Sequence, residues 1–379
     1  MKGGYHVNLY YSMIGRLLDG RTSIRNEGYY IMDDQNEVVF SKKAPIYTEI
    51  VTIERFTDAL AEGCRHVLRS FAETSDNKQV YAFSLCADEY SSIYVYMNTI
   101  SCFEKTLEKY QSKNADYKKQ DRIQSLKYNC GDFDFQFWQD HMGQNGRYVS
   151  LFESIAYRSE DVDKGEFEQA IAGTAVVAFE AGIIENGYYV CALEAMQRLV
   201  DEGAFDILNK ADDFIAYTFT RNDYLDYGLV MRKTIERDLF YRVFPDIQKS
   251  DEQFNEEMNR NRQLSVIDSI AYWSDAIHSD YSLEPPFTYV KPAMEVFVQL
   301  EHFGNELAKE CLERLTALAS LNSFDRKDYE RLGFYIEALY FCGPLTSEQT
   351  KQCIEIGLKL TEAGDILIEY AKELEAIAS

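Results

Sequence analysis

Between Lys127 and Gly143 the chain reads KYNCGDFDFQFWQDHMG, which is the densest clustering of reactive side chains in the sequence. Asn129, Asp132, Asp134, Asp140 and His141 supply an amide, three carboxylates and an imidazole, with Cys130 and Trp138 among them. Two chemistries could use such a set. A pair of carboxylates in unlike environments does acid–base work. A cysteine beside a histidine makes an activated nucleophile, and Cys130 with His141 is the candidate pair in this stretch. The bland alternative is a capped turn beside a hydrophobic core. Asn129 at the start of a short helical turn would accept from its first N–H groups, with Asp132 supporting them. Phe133, Phe137 and Trp138 would then point inward from one face. In an extended reading, Phe133, Phe135 and Phe137 alternate with Asp132, Asp134 and Gln136 as in a strand. Trp138 lines a pocket in a third reading. Asn129, Asp132, Asp134, Trp138, Asp140 and His141 are the candidate binding residues, and no residue is assigned a catalytic or metal-ligating role.

Elsewhere the common reactive motifs are missing. There is no phosphate-cradling or dinucleotide-binding glycine loop and no nucleophile elbow. His6, His66, His141, His278 and His302 never fall four apart on one helix, so a helical two-histidine metal site is absent. The eight cysteines form no Cys-x-x-Cys pair, and several sit in apolar runs. They read as buried free thiols of a reducing compartment. No cofactor is implied. Asp212, Asp213, Asp223 and Asp226 read as a strand entry and as caps of a helix N-terminus.

The net charge of −24 narrows the partners. From Asp251 onward, 24 acidic residues stand against 11 basic ones, so the acidity leans toward the C-terminal third. Such a chain repels phosphate backbones, which argues against nucleic acid, and it attracts a basic protein surface. Lys105 to Lys127 is the one locally basic stretch, with seven basic and three acidic residues, and reads as a solvated helix face. No apolar run reaches the length of a membrane span, and no signal-peptide core is visible, so a cytoplasmic protein is expected.

The elements that must hold these groups follow from periodicity. YYIM at 29–32 and VVF at 38–40 flank a polar turn and predict a hairpin within an N-terminal extension of residues 1–50. Ile53, Phe56, Leu60, Cys64, Val67, Leu68 and Phe71 recur at three and four and predict a helix. Residues 79–86 and 92–98 predict an antiparallel strand pair. Ser101 with Glu104 suggests a capping box for the next helix. Helices are expected at 165–183 and 187–202, a strand at 213–223 and one helix at 231–244, ending before Pro245. The fold expected for 51–245 is therefore α+β, with packed helices on one small, mainly antiparallel sheet. Residues 246–379 read as an all-α bundle or helical array, with segments near 251–278, 288–303, 305–320, 325–341, 347–361 and 364–377, and with Thr346 or Ser347 as an N-cap.

In this frame the motifs resemble a bacterial family known only as a domain of unknown function, numbered, in words, four three zero three. Tyr81, Ala82, Phe83 and Leu85 fill its first strand motif, and Asn98 and Thr99 the end of its second. Asn129 and Asp132 fill its third element, where Lys127, Tyr128, Phe133 and Phe135 replace the usual Arg, Trp, Trp and Tyr, and Cys130 replaces proline. The resemblance covers roughly residues 52–245. It implies no established activity. It does imply company with bacterial toxin-neutralising and contact-competition genes. The expected function is accordingly a non-catalytic, protein-binding factor of the immunity or antitoxin kind, whose acidic surface meets a basic partner such as a nuclease-type toxin. An enzyme with a cleft between the two domains and a helical assembly scaffold are the alternatives.

Overall fold

The computed structural model describes residues 28–88, 90–159, 162, 171–221, 226–276 and 294–378. Two compact units divide the chain: residues 20–245, and residues 246–379 together with 1–19, which lie outside the described residues.

The first unit is α+β, as its alternation of strand and helix patterns predicts. Its eight described strands are β1 (Tyr29–Asp33), β2 (Val38–Ser41), β3 (Glu49–Val51), β4 (Val80–Ala87), β5 (Ile93–Thr99), β6 (Phe135–Phe137), β7 (Ala175–Glu180) and β8 (Lys210–Phe219). They form two four-stranded sheets where one was expected, in the orders β2-β1-β7-β3 and β6-β5-β4-β8. Each sheet is mixed: β3 runs parallel to β7, and β8 parallel to β4. The expected hairpin is present, with Tyr30 opposite Phe40, and its strand β1 pairs onward with β7.

Helix α1 (Ile53–Ala72) ties the sheets together. Thr52 caps it, its hydroxyl accepting from the Arg55 N–H at 3.2 Å. The predicted stripe from Phe56 to Phe71 is buried. Phe56 meets Phe179 of the first sheet with ring centroids 5.8 Å apart. Phe71, one end of the stripe, meets Phe135 of the second sheet at 4.9 Å. Each such fully buried large apolar side chain contributes roughly 1.5–3 kcal/mol.

Three local expectations are overturned. The first is the helix over 165–183. Its described part contains strand β7, which is hydrogen-bonded on both sides by β1 and β3. A central strand loses the polar–apolar alternation that marks a half-exposed one, so AVVAFE reads equally well as a buried helix. Residues 165–170 of that helix lie outside the described residues. The second is the cap of α2 (Ile100–Lys113). Thr99 fills it, its hydroxyl accepting from Cys102 N–H, and Ser101 lies inside the helix. The third is the helix at 231–244. It is two short helices separated at Ile235 and Glu236. The Glu236 carboxylate accepts from Leu239 N–H at 3.0 Å and starts the second. Pro245 then opens a new helix at its first turn, where its missing N–H costs nothing.

The second unit is all-α among its described residues. The expected helix at 251–278 divides into Pro245–Asn261 and Val266–Ala276. Ser265 accepts from Asp268 N–H at 3.2 Å and starts the latter. Met294–Leu300, Asn305–Leu318, Arg326–Leu339, Ser347–Ala363 and Ile368–Ala378 follow. Residues 277–293, which include the ends of two expected helices, lie outside the described residues. Thr346 caps Ser347–Ala363 in a reciprocal box with Gln349. Phe297 anchors the core, 5.1 Å from Phe334 and 5.5 Å from Phe341.

Candidate functional site

The stretch from Lys127 to Gly143 resolves into a turn followed by a strand. Asn129 caps a 3-10 turn at Cys130–Asp132, its side-chain oxygen accepting from Gly131 N–H at 3.2 Å. Asp132 does not serve the backbone N–H groups as expected. It accepts from the Tyr110 hydroxyl and from the Asn129 amide, both at 2.7 Å. The strand reading then holds over β6, whose Phe137 stands opposite Val95 and Phe135 opposite Met97. Alternation turns both rings toward Phe71 of α1 and leaves Gln136 exposed.

Trp138 therefore does not point inward with Phe133. It follows the edge strand and is 53% exposed. His141 lies in the next 3-10 turn, where its Nδ1 accepts from Trp138 N–H at 3.1 Å and its ring meets Phe137 at 5.6 Å. Asp134 and Asp140 are exposed on either side. The six predicted residues thus form two small groups, Asn129 with Asp132 and Trp138 with His141, and the two remaining aspartates belong to neither.

The Cys130–His141 nucleophile is contradicted. His141 is exposed, while Cys130 is 2% exposed and lies 3.2 Å from the Tyr217 hydroxyl. Burial pushes the Cys130 thiol up to about 11, against the opposing pull of the Tyr217 and Ser84 hydroxyls. Such a thiol is protonated and inert at neutral pH. All eight cysteines are free, and only Cys102 is not buried. Among the described residues no group of three or more His, Cys, Asp or Glu side chains is arranged to hold a metal.

Beneath the turn lies a layer of tyrosines and charges. The Tyr81 hydroxyl donates to the Lys127 carbonyl at 2.6 Å and accepts from the Asn98 amide at 3.0 Å. The Lys127 ammonium pairs with Asp213 and sits 5.0 Å from the Tyr81 ring centre and 5.4 Å from that of Tyr128. The Tyr128 hydroxyl donates to the same Asp213 carboxylate at 3.2 Å. Burial, before any neighbouring charge, holds both phenols well above their ordinary value. Each of these side chains has a partner within the layer, which thereby supports the turn.

Residues that the sequence reading passed over surround Trp138. Its ring meets Tyr94 edge-on, with centroids 6.0 Å apart and planes at 68°. Tyr94 meets Tyr96 at 6.1 Å. The Tyr96 hydroxyl accepts from Arg221 at 3.5 Å, and Arg221 is also 3.5 Å from the buried Asp88 carboxylate. Tyr94 and Tyr96 share a face because they are two apart on β5, and Gln136 of β6 stands opposite Tyr96. Arg221, directly beyond β8, adopts the left-handed backbone at φ 68°. That conformation is strained for a non-glycine residue and tends to occur at functional positions. A continuous run from Trp138 through Tyr94 and Tyr96 to Arg221 results, fixed in place by Asp88. Asp88 is itself held by the N–H groups of Tyr90 (3.1 Å) and Ser92 (2.9 Å). The sequence signal for it is the tyrosine alternation SIYVYMN, which by itself indicates only a strand.

No curated protein and no solved structure matches the chain. Residues 60–234 match the family model described as a domain of unknown function (DUF4303).

Proposed function

We propose that the chain is a non-catalytic protein-binding factor, and that Trp138, Tyr94 and Arg221 form its contact surface, with the buried Tyr96 supporting them from beneath. The half-exposed Trp138 carries the reading. A tryptophan just beyond an edge strand, backed by two tyrosines and followed by an anchored arginine, has the composition of an interface hot spot. Exposing its indole to water is unfavourable unless something else covers it. Asp134 and Asp140, four residues before and two after Trp138 in sequence, are exposed, and the net charge of −24 favours fast encounter with a basic surface. The partner is accordingly a basic protein. The association of the family with toxin-neutralising genes makes a basic, nuclease-type toxin the preferred one, with this chain as its immunity or antitoxin-like factor.

The test is capture of partners from the cell of origin by the immobilised chain, with Trp138→Ala and an exposed-site control, Ile267→Ser, run beside it. A basic protein held by the wild type and the control and released by Trp138→Ala supports the proposal. Equal retention by all three chains rejects it.

A further inference from the structure

The loop between β2 and β3 breaks two rules at once. It reads KKAPIYT from Lys42 to Thr48, with two lysines and no acidic residue, in a protein of net charge −24. Its tip places Ile46 at 83% and Tyr47 at 102% exposure. Tyr47 also takes the left-handed backbone, at φ 66°, in a turn closed by Thr48 N–H to the Pro45 carbonyl at 3.4 Å. That turn position favours glycine, and a large aromatic there is both strained and bare. Two lysines on one shoulder and a bare isoleucine–tyrosine tip make a positively charged, apolar plug.

The helical unit contains a matching socket. Helices Ser347–Ala363 and Ile368–Ala378 pack side by side and leave a groove of about 400 Å³. Ile354, Leu358 and Ala371 line it, with Lys372 and Glu375 at its margin. Leu358 is 62% exposed and Ile354 47%. The two helices and their connection carry seven acidic residues against three lysines, so the apolar groove lies in a negative field. Charge and polarity are therefore complementary between plug and socket.

We infer that the Lys42–Tyr47 loop of one copy docks into the Ile354–Leu358 groove of a second copy. The contact is head-to-tail: plug and socket are different surfaces, so each copy keeps one of each free and the assembly extends rather than closing at two. It uses none of the residues of the Trp138 run, so its success or failure is independent of the partner proposed above. A single loop in a small groove is a weak contact, visible at high concentration and diminished by salt.

Sedimentation equilibrium of the full chain tests it. The wild type is expected to exceed its 43.9 kDa monomer mass as concentration rises, and to return toward it at high salt. Tyr47→Gly suits the left-handed turn and removes the plug. Leu358→Arg spoils the socket at an exposed position. Each variant alone is expected to stay monomeric, with circular dichroism showing that each folds. Mixing the two is decisive, because the mixture holds one intact socket and one intact plug and is expected to form a one-to-one dimer that cannot extend. A wild type that is monomeric at every concentration, variants that still associate, or a mixture that stays monomeric would each overturn the inference. So would a monodisperse chain that binds anionic vesicles through Lys42 and Lys43.

Discussion

Trp138 and Tyr94 meet edge-on, 6.0 Å between ring centres, although forty-four residues separate them in sequence. The pairing of β5 with β6 brings them together, and the Trp138–His141 turn holds the indole outside the core. Because this indole is half-exposed, its truncation separates binding from folding. Trp138→Ala is expected to lower stability by less than about 1 kcal/mol, whereas a hot-spot loss of about 2 kcal/mol or more, some thirtyfold in affinity, is expected for the partner. Urea denaturation measures the first and titration calorimetry the second. A stability loss as large as the binding loss would place Trp138 in the core instead.

The Lys127–Asp213 pair behaves differently, because its lysine side chain is only 13% exposed. Lys127→Met removes the cation and leaves Asp213 with the Tyr128 hydroxyl. The expected cost is about 2 kcal/mol, below that of a fully buried pair because Asp213 is 34% exposed and water screens it. Chemical denaturation reads it directly. A neutral result would mean that the pair is dispensable to the turn.

Tyr81 offers a finer cut through the same layer. Tyr81→Phe deletes one hydroxyl and strands both the Lys127 carbonyl and the Asn98 amide. A loss of about 1–3 kcal/mol is expected, with the aromatic contacts to Tyr128 and Phe133 unchanged. If Tyr81→Phe unfolds at the wild-type denaturant midpoint, water must satisfy both groups.

The buried thiols fix the alkaline limit of the fold. Burial raises Cys64 and Cys191 from an ordinary 9.0 to about 12, and Cys130 to about 11. The folded state thus holds these protons after the unfolded chain has released them. The stability that this represents is intact below pH 9.0 and is lost as pH rises from there toward 11 and 12. Each unit is worth about 1.4 kcal/mol per thiol. Melting temperature is expected to be insensitive to these groups up to pH 9 and to fall steeply above it. Native-state alkylation at pH 8 is expected to label Cys102 first, as the one thiol that is not buried. Rapid labelling of Cys130 at that pH would show that it is accessible after all.

What the sequence revealed and what it hid follow one physical line. Helix α1 is legible because it presents one face to a core and one to solvent, which writes a period into the residues. Strands β4 and β5 are buried along nearly their whole length and are legible instead from their aromatic and β-branched content and the turn-like residues between them. Strand β7 was misread because it is central in its sheet and carries no such contrast. The parallel pairings β3–β7 and β4–β8, and with them the presence of two sheets, join segments that no local signal connects. Among the site residues, Trp138 stood out by type. Tyr94, Tyr96 and Arg221 did not, since only the β5–β6 register and the end of β8 place them beside it. Asn129 was recognised as a cap because such capping is local, while the partner of Asp132 is Tyr110, a helix away in sequence.

The most direct measurement compares what the wild-type chain and a Trp138→Ala/Arg221→Ala double variant retain from the cell of origin, eluted across a salt gradient. One basic protein that binds the wild type, weakens as salt rises and is absent from the double variant is the predicted result. Identical retained proteins on both chains, or an acidic protein as the single specific partner, would contradict it.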